Sequence, residues 1–287
     1  GLDSLGLEDA EKHWIGWPGM DVKATRIKNQ LNKILEKQNF HPVYLSDNQI
    51  NQYYEGYSNS VLWPLFHYFF SFVEYDERNW IIYKQVNELF FEAAKKIVRP
   101  GDLVWVQDYQ LMLLPKMLRD GIGKIRIGYF HHVPFPSYEL FKVLPERDEL
   151  LTGLLGADLI GFHTSDYMRH FANSVSRGLK LDINMDCVMQ GHNKAYIGVF
   201  PMGINYDKYH DAAMNPSIVE HVKELRSSYG KDNKLIVSVN RLDYSKGLLH
   251  QIKGFNLFLK NHPSYRGKVS LMMIIVPSRD KVNKYAN

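Results

Sequence analysis

An α/β fold, with helices layered on parallel strands, is what the amino-acid sequence predicts. Two observations carry the prediction. Short apolar runs rich in β-branched residues alternate with longer amphipathic segments along the whole chain. Several of the runs are continuously apolar, as strands of a parallel sheet are when both faces are covered.

The runs at 41–45, 102–107, 124–130, 157–162, 196–200, 234–239 and 269–276 read as strands in that order. Between the first two, residues 83–98 place Val86, Phe90, Ala93, Ala94 and Ile97 at helical spacing. A helix over 110–119 follows the second strand. Thr164 or Ser165 can cap another, whose Tyr167, Phe171 and Val175 recur every four residues. The loop RLDYSK (241–246) leads into a helix with Leu248, Ile252, Phe255 and Leu259 along one face. Residues 206–233 are polar, contain Pro216 and end in a charged turn, which reads as a connector with a short helix. The expected organisation is therefore a first domain over 1–205, a connector over 206–233 and the start of a second domain over 234–287. Two strands do not make a stable sheet alone, and the chain opens without the strand and glycine turn usual in doubly wound domains. Both observations suggest a piece of a longer protein.

Composition narrows the class. The chain has 287 residues, 45% hydrophobic and 23% charged, ordinary for a folded domain and unlike collagen or a disordered chain. Cys187 is the single cysteine, which excludes an internal disulfide and fits a reducing cytoplasm. No apolar run approaches the ~20 residues of a membrane span, and the acidic first residues are unlike a signal peptide. A net charge of +4 is too mild to require nucleic acid and is compatible with a small anionic ligand.

Five segments can carry chemistry. In RLDYSKG (241–247), Arg241 and Lys246 lie between a strand and a helix N-terminus, a place suited to a diphosphate. The alternative is a solvated basic loop pairing with Asp243. Asp108 stands where a hydrophobic strand turns into a helix, so it either meets sugar hydroxyls or caps that helix. His131 and His132 are adjacent on an extended segment and point to opposite faces, so they ligate one metal poorly. The prolines after them stiffen a loop that would present His132, unless that histidine belongs to the core edge. The aromatic stretch 52–68, with Tyr54 and Trp63, can stack on a sugar or donate to phosphate oxygens, or simply form a core helix. Arg279 ends the last strand, an anion position or a surface arginine.

Taken together, SNSVLWPLFHY, VWVQDYQLMLLP, HHVPFPSYELFKVLP, GADLIGFHT, FPMGI, RLDYSKG and VPSRD resemble one family, in order and spacing. It is the trehalose-6-phosphate synthase family of retaining GT-B glycosyltransferases, and the wording is nearest to bacterial forms. The resemblance implies two Rossmann-like domains, the second partly present, and transfer of glucose from UDP-glucose to glucose-6-phosphate. By motif match, Arg241 and Lys246 resemble the basic pair that holds the donor diphosphate. His132 resembles the histidine that hydrogen-bonds the donor glucose, and Asp108 the aspartate that meets acceptor hydroxyls. Tyr54, Trp63 and Arg279 resemble residues that grip the acceptor phosphate. No cofactor and no metal are implied, and a homo-oligomer or a fused phosphatase domain is compatible. Against the family pattern, this chain starts after an asparagine–arginine strand and a double-glycine loop, and ends before an Asp-Gly-Met-Asn segment. Without those parts it should not catalyse transfer alone. The second reading is a synthase-like regulatory domain without turnover. The third, another GT-B transferase with a different acceptor, is opposed by the Tyr54, Trp63 and Arg279 set.

Overall fold

The computed structural model describes residues 11–191, 193–230 and 233–277. The chain divides into two compact units, Gly1–Pro201 and Met202–Asn287.

Among the described residues, the first unit combines helices, among them the 4-residue Trp63–Phe66 and the 21-residue Glu77–Ile97, with two sheets. Strands β1 (Trp14–Gly16) and β2 (Phe40–Pro42) form a short parallel pair. The main sheet has six strands: β3 (Leu103–Gln107), β4 (Arg126–His131), β5 (Leu159–Phe162), β6 (Ile183–Asn184), β7 (Cys187–Gln190) and β8 (Asn193–Val199). Their order is β3-β4-β5-β8-β7-β6, parallel as far as β8 and antiparallel beyond. The four parallel strands are those read from the sequence. The short β1 and the β6–β7 pair were not legible, because their residues are polar or too few to show a period.

The sheet is not covered equally on its two faces. Val106, Ile127, Tyr129, Ile160 and Ile197 are buried on one face. Trp105, Leu159 and Tyr196, which share a row across the sheet through Gly128, remain exposed on the other. The buried face meets an aromatic core in which Phe66, Phe135, Phe141, Phe162 and Phe171 pack with ring centroids 5.0–6.2 Å apart. Burying five such rings is a large hydrophobic contribution, and their tilted and edge contacts add to it.

Helix ends follow the residues. Asp76 accepts the Arg78 N–H and opens helix Glu77–Ile97, several residues before the periodic stretch read from the sequence. Thr164 accepts the Tyr167 N–H at 3.3 Å and opens helix Ser165–Ser174, as the sequence suggested. The helix expected at 110–119 instead starts at Leu114 and runs to Ile122. Pro115 sets that start, since proline suits a first turn and disrupts a helix interior. Most of the stretch 52–68 is helical, as expected of a core segment, ending at Phe66, but Ile50–Leu62 is π-helical, with the Trp63 N–H reaching the Ser58 carbonyl.

Between β4 and β5, Asp158 bonds the Ile127 N–H at 2.7 Å and pairs with Arg119 at 2.6 Å. Arg119 also bonds the Gly156 carbonyl. Gly156 itself lies against helix Leu114–Ile122, where a β-carbon would come within 2.3 Å of the Lys116 backbone.

The second unit begins with helices Tyr206–Ala212 and Pro216–Tyr229. Two helices thus replace the connector with one short helix. Asn205 and Asn215 cap them, and Pro216 is a helix-starting residue rather than a break. Strands β9 (Lys234–Arg241) and β10 (Val269–Val276) pair in parallel around helix Leu248–Asn261. Several of the apolar runs suggest covered strands, yet Val239 is 65% exposed and, among the described residues of this unit, Asp243 alone is buried. Two strands and one flanking helix have too little surface to cover both faces.

Gly156→Ala should lower the stability of the first unit by about 1–3 kcal/mol, the usual cost of forcing a methyl into packed backbone. Urea denaturation measures this as a lower midpoint; an unchanged midpoint would contradict the close approach.

Candidate functional site

Adjacent parallel strands bring their carboxyl ends to one edge, where ligands of open α/β sheets bind. In register, Gln107 pairs with Phe130, and His131 with Phe162. The residues just past these ends are Asp108, His132 and His163.

Asp108 does not cap the turn behind it. Its Oδ1 accepts the main-chain N–H of His132 at 3.1 Å, so it ties the end of β3 to the end of β4. Its backbone has φ 70° and ψ 175°, a conformation otherwise open almost only to glycine. Such strain costs about 1–3 kcal/mol and persists where neighbours over-determine it. Here they do. The Tyr83 hydroxyl donates to the Tyr109 carbonyl at 2.7 Å and accepts the Met112 N–H at 3.1 Å. Asn87 and Tyr53 both donate to the Gln110 carbonyl, each at 3.2 Å. Asn87 and Tyr83 are buried on helix Glu77–Ile97. Burial pushes the Tyr83 phenol well up, so it stays protonated and keeps donating. Sequence reasoning assigned these two residues no role; the signal was a polar Asn87 on the apolar face of a helix.

His131 and His132 point apart, as extended neighbours do. His131 is fully buried among Phe66, Phe135 and Phe162, with Nδ1 3.0 Å from the Tyr129 hydroxyl. Burial pushes its imidazole down to about 3, so it is neutral at ordinary pH. His132 is exposed, and its Nδ1 lies 3.0 Å from Nε2 of half-buried His163. Burial and the nearby His132 lower the His163 pKa. His163 also received no role from the sequence, although it ends a strand just as Asp108 and His132 do. Among the described residues, no group of three or more His, Cys, Asp or Glu side chains is placed to hold a metal ion.

Trp63 is buried, 4.0 Å from the His67 ring and 5.9 Å from Tyr109, the residue after Asp108. Tyr54 is half-buried and packs against Trp17. In the second unit, Arg241 is the exposed last residue of β9. Lys246 ends a tight turn, Tyr244–Lys246, just before helix Leu248–Asn261. Buried Asp243 accepts the Ser245 N–H at 2.9 Å and shapes that turn. Arg279 lies outside the described residues.

A family model described as glycosyltransferase family 20 matches residues 3–287. The chain belongs to glycosyltransferase family 20. It is 43% identical over 278 residues to an alpha,alpha-trehalose-phosphate synthase (UDP-forming) of Pichia angusta, covering 95% of this chain and 58% of that protein. A solved synthase of Burkholderia xenovorans, in complex with glucose-6-phosphate, matches with a TM-score of 0.86 and 28% identity, over 98% of this chain and 63% of that one. The N-terminal domain of a Candida albicans trehalose-6-phosphate phosphatase matches with a TM-score of 0.86 and 34% identity, over 96% of this chain and 59% of that one. The chain spans about half the length of the curated relatives it matches. Its fold is that of the GT-B trehalose-phosphate synthases. Among the described residues, no helix is long and apolar enough to cross a membrane.

The strain at Asp108 makes a test. Glycine normally destabilises relative to alanine by about 0.5–1 kcal/mol. At position 108 the order should reverse, with Asp108→Gly more stable than Asp108→Ala by about 1 kcal/mol. Thermal or urea unfolding of the two variants decides, and the usual order would remove the strain from the account.

Proposed function

We propose that this family 20 protein transfers glucose from UDP-glucose to glucose-6-phosphate, with retention, releasing UDP and trehalose-6-phosphate. The observation that carries the reading is Asp108, held in a strained conformation at the sheet edge and tied to His132. Such a fixed carboxylate suits recognition of sugar hydroxyls, and its motif matches the family's acceptor aspartate. The names of the relatives point to the same reaction.

In this reading Arg241 and Lys246, with the N-terminus of helix Leu248–Asn261, hold the donor diphosphate and stabilise charge as UDP departs. His132 hydrogen-bonds the donor glucose. Asp108 accepts from acceptor hydroxyls. Tyr54, Trp63 and Arg279 grip the acceptor phosphate, a remote anchor that orients the attacking hydroxyl. That hydroxyl attacks from the face UDP leaves, with no enzymic nucleophile. Charge neutralisation by two basic side chains needs no metal. The single cysteine suits a cytoplasmic setting. A second reading, a synthase-like domain without turnover, is favoured by the likeness to the Candida phosphatase domain.

Full-length protein supplied with UDP-glucose and glucose-6-phosphate should form trehalose-6-phosphate, and Arg241→Ala should slow turnover by about 100- to 1,000-fold, the scale of one lost transition-state donor. Absence of product would favour the second reading; near-normal turnover in the variant would remove Arg241 from the mechanism.

Activity should also survive EDTA. Loss on chelation, restored by Mg²⁺ or Mn²⁺, would refute the metal-free scheme.

A further inference from the structure

The proposed function gives the two ends of one acceptor to two residues of the first unit, Asp108 for the hydroxyls and Trp63 for the phosphate. Asp108 follows β3, whereas Trp63 follows the π-helical stretch Ile50–Leu62. Different elements carry the two residues, so their separation has to be set by something that touches both. Tyr109 does, and the proposed function leaves it unused.

Tyr109 is held along its whole length. Its main chain continues directly from Asp108, and its carbonyl accepts the Tyr83 hydroxyl at 2.7 Å. Its ring packs on the Trp63 indole, with centroids 5.9 Å apart at 48°. Its hydroxyl donates to Asn59 Oδ1 at 3.0 Å, and Asn59 stands on the same π-helical stretch that leads into Trp63. That bond holds whichever way the Asn59 amide is turned, because a phenol both donates and accepts. Tyr109 and Asn59 are each 1% exposed, so solvent does not take the place of either partner. With its base clamped and its tip pinned, the side chain has a fixed reach, since turning a phenol about its own axis does not move its oxygen.

We propose that Tyr109 is a specificity-determining strut, which fixes the separation of Trp63 from Asp108 and so matches the site to a sugar whose phosphate lies at one set distance from its hydroxyls. The proposal rests on the reading that these two residues meet the acceptor. Tyr109 is a positioning residue, because it acts through its neighbours. Two contacts made by one ligand reinforce each other only when their spacing fits, since the first contact sets the effective concentration for the second. The strut therefore matters to glucose-6-phosphate as a whole and not to its separate parts.

Steady-state kinetics of the full-length protein separates the whole from the parts. Glucose-6-phosphate is the acceptor, and glucose and inorganic phosphate are its halves, each measured as a competitive inhibitor. Tyr109→Phe removes only the hydroxyl, and Asn59→Leu cuts the same bond from the other side. In either variant KM for glucose-6-phosphate should rise about tenfold, the upper part of what one hydrogen bond contributes. Turnover at saturating acceptor and both inhibition constants should stay within about twofold of wild type, since neither half of the site is lost. The double variant should go no further than the singles, as expected of two residues that share one interaction. A residue that merely supports the core would weaken the halves along with the whole, or lower the unfolding temperature and leave every constant unchanged. Either result, or additive losses in the double variant, would overturn the strut while leaving the transferase reading intact. A wild type that makes no trehalose-6-phosphate would sink that reading, and the strut with it.

Discussion

The clamp on residues 109–112 is the constraint on which the sheet edge depends. Tyr83 and Asn87 reach from one helix to the chain just past β3, and Tyr53 reaches from another. Each bond lies in or near a dry core, where a broken partner leaves an unsatisfied polar group costing about 1–3 kcal/mol. Several such bonds together outweigh the strain at one residue. Asp108 is therefore forced into its backbone conformation by groups that never face the edge. From there its carboxylate reaches the His132 N–H. The helix that supplies the clamp is in turn anchored by Trp80, Tyr83, Val86, Phe90 and Ala94, all buried.

Environment separates two residues of the same type along one strand end. His131 and His132 differ by one position, yet alternation sends one ring into a phenylalanine core and the other to solvent. Burial keeps the first neutral at ordinary pH, a shape-filling ring whose polar edge meets Tyr129. The second keeps a free face and gains its order from neighbours on the flanking strands. The same logic divides the acids. Asp158 is engaged by Arg119 and the Ile127 N–H and locks β4 to β5, whereas Asp243 builds the turn before a helix.

Much of this was legible in the sequence because hydrophobic periodicity is local. The parallel strands, the Thr164 cap and the opposite faces of the two histidines follow from neighbouring residues alone. What was not legible depends on partners distant in the chain. The backbone angles of Asp108 are set by Tyr83 and Asn87, more than twenty positions earlier, as the separation of 26 residues between Tyr83 and Tyr109 illustrates. Pro216 reads as a break or a helix start depending on whether Asn215 caps, which only the folded chain decides. His163 looks like a strand-end residue until His132 is placed beside it. The exposed row of Trp105, Leu159 and Tyr196 shows the converse limit: an apolar strand announces that it can be covered, and composition does not say by what.

The backbone conformation of Asp108 has a kinetic and entropic side. A carboxylate on a flexible loop surrenders torsional freedom each time a sugar arrives, at roughly 0.5–1.5 kcal/mol for an ordered side chain. At Asp108 that freedom is already gone when the chain folds, because the main-chain angles and the His132 contact leave the side chain little choice. The penalty has been transferred from each encounter to a single folding event. In the proposed reading, in which Asp108 meets sugar hydroxyls, recognition at this edge is docking onto a rigid template, with selectivity among sugar epimers set by the fixed direction of one oxygen rather than by adaptation of the loop.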